Sequence, residues 1–229
     1  MTVLHLADEG EAADLVAFLS RLLHYDRSAA VRLQAAGTAL AVFGRPPSFE
    51  VLAIRTARLA KPYEDGLDVT LDTTVSAGEL LEAVDESAAT AVVPAAVTGP
   101  PWAGVLPPRR DWRPEPGLPA PDALRAMVGA AVAEFRARTE ELGPERRTRA
   151  ELDRIGRDIW SRAVGDTPLP VRAVHAAQSL GFLRPGARAP EEEALGLFSS
   201  GAWLRLRTPY GSVAVRRAGL GALGVSVNR

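Results

Sequence analysis

Trp203-Leu204-Arg205-Leu206-Arg207-Thr208-Pro209-Tyr210-Gly211-Ser212-Val213-Ala214-Val215-Arg216 alternates twice about a turn. Leu204 and Leu206 oppose Trp203, Arg205 and Arg207. After Thr208-Pro209-Tyr210-Gly211, Val213 and Val215 oppose Ala214 and Arg216. Side chains of a strand point alternately to its two faces, so the pattern predicts a β-hairpin with one apolar and one cationic face. The residues before it are patterned as helices. A helical run that closes on a hairpin argues for α+β architecture.

Working upstream, Asp122 is placed to cap a helix through Leu142, which Gly143-Pro144 ends. Leu124, Val128, Ala131 and Phe135 share its inner face. Thr148 with Glu151 opens a second helix that buries Leu152, Ile155, Ile159 and Val164 and closes at Gly165. A third is expected from Thr167-Pro168 to Gly181. Residues 94–121 hold nine prolines, with Trp102 and Trp112 among them. Proline fixes φ and lacks an N–H, so regular structure is not expected there. The stretch reads as a strap that its tryptophans pin to the surface; a proline-rich ligand for a partner's aromatic groove is the alternative.

The first segment reads β-α-β-β-β-β-α. Val3–Leu6 is strand-like, and Asp8 with Glu11 starts a helix over 9–24 with Leu15, Val16, Leu19, Leu22 and Leu23 at helical spacing. Strands are expected near 31–34, 39–43, 49–57 and 67–75, and Ser76 with Glu79 caps a helix through about Asp85. Short turns between successive strands imply antiparallel pairing. The expected fold is therefore α+β: an antiparallel sheet meander with helices on one face, then a helical segment ending in a β-hairpin. Its units are an acidic one at 1–93, the strap at 94–121 and a basic one at 122–229. All three merge into one continuous domain if the hairpin extends the N-terminal sheet.

Composition narrows the chemistry. The chain has 229 residues and no cysteine, so disulfides, thiolate metal sites and cysteine nucleophiles are excluded. Net charge is −1, but residues 1–108 hold 7 Lys/Arg against 14 Asp/Glu (−7) and residues 109–229 hold 20 against 14 (+6). The halves can attract each other, or the basic half can face nucleic acid. Lys61 is the only lysine, so arginine richness reflects a codon bias as readily as phosphate binding. The strand-like, then acidic start does not fit a secretory signal, and no apolar run approaches the roughly 20 residues that span a bilayer. A cytoplasmic protein with no membrane partner is expected.

Motifs of cofactor or catalytic chemistry fail in context. Gly219-Leu220-Gly221-Ala222-Leu223-Gly224 spells a dinucleotide fingerprint, but only five residues follow it, too few for the helix that presents amides to pyrophosphate. It reads as a glycine-rich turn. Asp68, Thr70 and Asp72 place two carboxylates on one strand face, which suits a cation or a solvated surface equally. Glu191-Glu192-Glu193 reads as the start of a short helix. His5, His24 and His175 fall outside any metalloprotease or nucleophile-elbow pattern, and His175 lies beside the apolar stripe of its helix. No catalytic, cofactor or metal residue is assigned.

Two helices followed by a basic hairpin over 148–217 match the second half of a winged helix-turn-helix. In that reading Arg172 and Arg184 flank the groove helix, and Arg205, Arg207 and Arg216 lie on the wing. Against it, the groove helix offers few polar base readers. Trp203 beside arginines is the composition of a protein interface. The leading expectation is thus a non-catalytic interaction or regulatory protein with a protein partner, contacting it through Trp203, Arg205, Arg207, Arg216 and Arg172. Nucleic-acid binding comes second, and an enzyme with an unrecognised site near His5 or Asp68–Asp72 third.

Overall fold

Asp8 begins the first helix as its sequence context requires, its carboxylate accepting from the Glu11 amide at 2.9 Å. The computed structural model describes residues 2–185 and 195–217, and its fold is α+β. In chain order, β1 (Val3–His5) leads to α1 (Glu9–Tyr25), then β2 (Ala30–Ala36), β3 (Ala39–Gly44), β4 (Leu52–Arg58) and β5 (Thr70–Ser76). Next come α2 (Ala77–Glu82), β6 (Val84–Asp85), β7 (Thr90–Val92) and β8 (Arg113–Glu115). The rest comprises α3 (Pro121–Glu140), α4 (Arg149–Trp160), α5 (Val171–Ser179), β9 (Gly196–Ser200), β10 (Trp203–Thr208) and β11 (Gly211–Arg216).

All the strand pairs are antiparallel. The main sheet has eight strands in the order β5-β2-β3-β4-β11-β10-β9-β8. The halves join edge to edge at its middle, where Leu52 faces Ala214, Ala53 faces Val213 and Ile54 faces Ser212. One face carries the helices. Leu33, Val42, Leu204, Leu206, Val213 and Val215 belong there to one buried cluster with Phe18, Leu124, Ile155 and Val174 of the helices. Burying each such side chain contributes roughly 1.5–3 kcal/mol.

The other face holds a smaller cluster of Phe43, Leu52, Ile54 and Ala214, packed by Trp102, Leu106 and Trp203. Trp102 and Leu106 come from the proline-rich stretch, which crosses this face. Arg32 Nη1 donates to the Ala103 carbonyl at 3.0 Å, and the Val97 amide donates to the Thr74 carbonyl at 2.9 Å.

Several expected elements change in position. The opening strand is not in the main sheet; β1 pairs with β7, which with β6 forms a separate three-stranded sheet. β8 runs inside the proline-rich stretch, where regular structure was not expected. It is the edge strand, the position in a sheet where proline is tolerated. Pro121 occupies the first turn of α3 with Ala120 as its cap, and Asp122 pairs instead with Arg125. The third helix of the C-terminal half starts at Val171 and not at Thr167. The Thr167 hydroxyl donates to the Val164 carbonyl at 2.6 Å and accepts from the Leu169 amide at 3.2 Å, a local turn that competes with helix. Asp68 lies in a tight turn, exchanging backbone bonds with Asp65, so only Thr70 and Asp72 share a face of β5. The expected turn at 219–224 and the Glu191–Glu193 helix fall outside the described residues.

Candidate functional site

Strand parity assigns every side chain of the main sheet to a face. Opposite the helices, one cross-strand row runs Thr74, Arg32, Phe43, Ile54, Ser212, Arg207, Gly196; the next runs Leu52, Ala214, Arg205, Phe198, Pro114. Trp203 lies between Arg216 and Ser200 on the same face. Of the candidate contact residues, the structure therefore brings Trp203, Arg205, Arg207 and Arg216 together. Arg172 is elsewhere, at the start of α5, with its Nε 3.9 Å from Glu50. Arg184 is also apart, on Asp14 of α1 with its guanidinium 3.6 Å over the Tyr210 ring.

The three hairpin arginines of the open face lie against aromatic rings. Arg207 lies 4.4 Å from the Phe198 ring, Arg216 5.1 Å from Trp203, and Arg205 5.9 Å from Trp112 of the strap. Phe198 reaches Arg207 because Gly196 beside it has no side chain; a Cβ there would sit 2.8 Å from the ring. Sequence reasoning named the arginines and Trp203 from alternation. It missed Phe198 and Trp112, since nothing local ties residue 112 to residue 205 across 93 positions.

The charge of the three hairpin arginines is not compensated among the described residues. Arg205 makes one hydrogen bond, Nη2 to the Ser212 hydroxyl at 3.0 Å. Arg207 and Arg216 make no hydrogen bond or ion pair among the described residues. The Nε atoms of Arg205 and Arg207 are buried without an acceptor among those residues. Loss of water, and secondarily the charge of Arg207, pushes the Arg205 guanidinium below its usual range.

The helix-covered face is the contrast. Arg55, 6% exposed, donates to Glu11 at 2.9 Å, Asp14 at 3.2 Å and the Tyr210 carbonyl at 3.0 Å. Arg58, the last residue of β4, reaches Asp8 and Glu11 at the start of α1 from the strand's end. A shallow cleft beside this network is lined by Asp14, Arg21, Gly181, Phe182, Arg184 and Tyr210, among others. Its one carboxylate, Asp14, already serves Arg55 and Arg184.

The other titratable candidates are positioned as follows. His175 is sandwiched, stacking on Trp160 at 4.7 Å and meeting Phe49 edge-on at 5.0 Å, and burial lowers its pKa. His24 meets Tyr25 edge-on at the end of α1. His5 lies in β1 opposite Thr90. Asp72 is held by Arg32 at 2.8 Å and Gln34 at 3.1 Å, and these hydrogen bonds lower its pKa against the opposing effect of burial. Among the described residues no group of three or more His, Asp or Glu is arranged to hold a metal ion. No described helix is long and apolar enough to cross a membrane.

Two family models match the chain. Residues 1–104 match one described as a domain of unknown function (DUF8010), and residues 107–220 match another described as a domain of unknown function (DUF8185). The seam between the matches falls in the strap, while the eight-stranded sheet runs across it at β4–β11. No curated protein and no solved structure matches the chain.

Proposed function

We propose that this chain is a non-catalytic interaction or regulatory protein that takes a protein partner on the open face of its sheet. The observation that carries the reading is the pair Arg205 and Arg207. Both are partly desolvated, and neither has a carboxylate partner among the described residues. Leaving a cation half out of water without an anion costs stability, and such sites persist where a ligand needs them. Trp203, Trp112 and Phe198 around them add the rigid aromatic area typical of interface anchors.

Nucleic-acid binding through 148–217 is the weaker reading. A groove-reading helix must be exposed, yet Val171, Ala173, Val174, Ala176 and Ala177 of α5 are buried, and His175 lies between two rings. The hairpin is not a free wing either, since β9 and β4 flank it in the sheet.

Site-specific photo-crosslinking tests the proposal. A photoreactive side chain at Ser200, on the open face, is compared with one at Arg136, exposed on α3. In extract of cells that produce the protein, one partner should crosslink from position 200 and not from 136. Trp203→Ala should abolish it. Equal labelling from both positions, or indifference to Trp203→Ala, would overturn the reading.

A further inference from the structure

We infer that the seat formed by Arg205 and Arg207 takes carboxylate side chains, so that the partner meets this face with an acidic segment whose acidic residues alternate with apolar ones. The inference rests on the binding reading above and names the chemistry of its ligand.

The first argument is directional. A guanidinium stacked on a ring uses its flat face there and leaves its in-plane N–H groups for an acceptor. Phe198 holds Arg207 in that manner. Arg205, anchored by Ser212 through one nitrogen, retains donors on the others. The planar fork matches a carboxylate in a bidentate geometry, which an ammonium could not reproduce.

The second argument is electrostatic. Arg205 and Arg207 are two residues apart on one strand and therefore on one face, where each raises the cost of the other's charge. One or two carboxylates between them relieve that repulsion and supply acceptors for the terminal nitrogens of Arg207, which have none among the described residues. Trp203, Phe198 and Trp112 border the seat with apolar surface, which suits the apolar neighbours of an acidic side chain.

The third argument is extent. A duplex carries one phosphate charge per about 1.7 Å of axis and needs a long cationic track. Here the cations without a carboxylate partner end on the hairpin, since Arg32, farther along the row of Arg207, is paired with Asp72. Along the row of Arg207 the face continues as Ser212, Ile54 and Phe43, and the neighbouring strands carry Asp72. The half of the chain contributing those strands has a net charge of −7 over residues 1–108. A short acidic segment fits this patch and a polyanion does not.

The test uses the full chain and a fluorescent peptide of alternating glutamate and phenylalanine, read by anisotropy at low salt. The glutamine counterpart, inorganic phosphate as competitor and a short DNA duplex are measured beside it. Arg207→Gln is the primary variant, because Arg207 makes no hydrogen bond or ion pair among the described residues and its loss leaves the fold intact. Thermal melting verifies that. The glutamate peptide should bind, its glutamine counterpart and Arg207→Gln should each weaken binding roughly 10-fold or more, and Arg207→Lys should fall between.

Three outcomes overturn the inference: equal binding by Arg207→Gln, equal binding of the glutamine peptide, or a duplex that binds more tightly than the peptide and depends on Arg207. So does peptide binding that emerges only after Glu191, Glu192 and Glu193 become glutamine, since the chain's own carboxylates would then fill the seat. Failure here is separable from failure of the binding reading. A partner that still crosslinks from position 200 in an Arg205→Gln/Arg207→Gln chain keeps the reading and removes only the carboxylate. Loss of the crosslink in the unaltered chain removes both.

Discussion

Arg55 and Arg205 are arginines of interior strands in one sheet, yet they stand in opposite electrostatic circumstances. Arg55, beneath the helices, meets Glu11, Asp14 and a carbonyl oxygen. Arg205, beneath the strap, meets one hydroxyl and a second arginine nearby. The partners of Arg55 come from α1 and from the Tyr210 turn, so its network ties the N-terminal helix, the middle of the sheet and the C-terminal hairpin together. Burial alone therefore does not reveal the role of an arginine. The inventory of acceptors does: Arg55 meets two carboxylates and a carbonyl and leaves only its Nε without a partner, whereas Arg205 meets a single hydroxyl.

Substituting Arg55 is the strongest way to break this comparison. Arg55→Met removes the cation from between two carboxylates and strands the Tyr210 carbonyl. Removing one partner of a buried ion pair costs about 3–5 kcal/mol. Urea unfolding should show a loss of that size, and a loss under 1 kcal/mol would mean water replaces the guanidinium there. The open face should give the smaller response to steric insult. Gly196→Ala places a Cβ 2.8 Å from the Phe198 ring. Overpacking of this kind costs about 1–3 kcal/mol, toward the lower end here because the ring lies on the less covered face. The same variant displaces Phe198 from Arg207, so it should weaken binding of the acidic peptide even where unfolding midpoints barely move.

The sharpest contrast is one of sign. Arg205→Met with Ser212→Ala removes a desolvated cation together with the hydroxyl that depends on it, leaving apolar atoms of similar bulk. Replacing both partners of a buried polar contact is neutral or favourable, so the double variant should gain about 0–1 kcal/mol. Its binding should be lost. A double variant destabilised by more than 1 kcal/mol would show that Arg205 supports the fold as Arg55 does, and would remove the reason to assign it to a ligand.

How much of this was legible in the sequence follows from the range of the interactions. Alternation at 203–216 placed Trp203, Arg205, Arg207 and Arg216 on one face, because strand parity is a local property. The capping boxes at Asp8, Ser76 and Thr148 hold in the structure for the same reason. Pairing of β4 with β11, and of β1 with β7, depends on contacts between distant segments that no periodicity encodes. Thus the aromatic lining of the site, Trp112 above all, could not be read. Likewise Arg172 looked equivalent to Arg205 as a basic contact residue, and only the fold separates them, placing Arg172 on α5 near Glu50. The α5 start shows a local signal misassigned: Thr167-Pro168 resembles a helix opening, but the hydroxyl closes a turn on Val164.

The smallest expected effect concerns pH, and it sharpens the contrast from the covered side. His175 is stacked on Trp160 and meets Phe49 edge-on, and desolvation alone lowers its pKa from 6.5. The unfolded chain therefore binds a proton at this position more readily than the folded one. Stability from neutral His175 is complete above about pH 6.5 and declines as pH falls below it toward the folded value. Phe in its place keeps the ring contacts and removes the titration. His175→Phe should flatten the acid limb of stability below about pH 6.5, measured as urea midpoints at each pH, relative to the unaltered chain. Arg205 is shifted in the same sense but at the other end of the scale, so its lowered pKa still leaves it charged throughout this window. An acid limb unchanged by His175→Phe would mean that the folded protein protonates His175 as readily as the unfolded chain does.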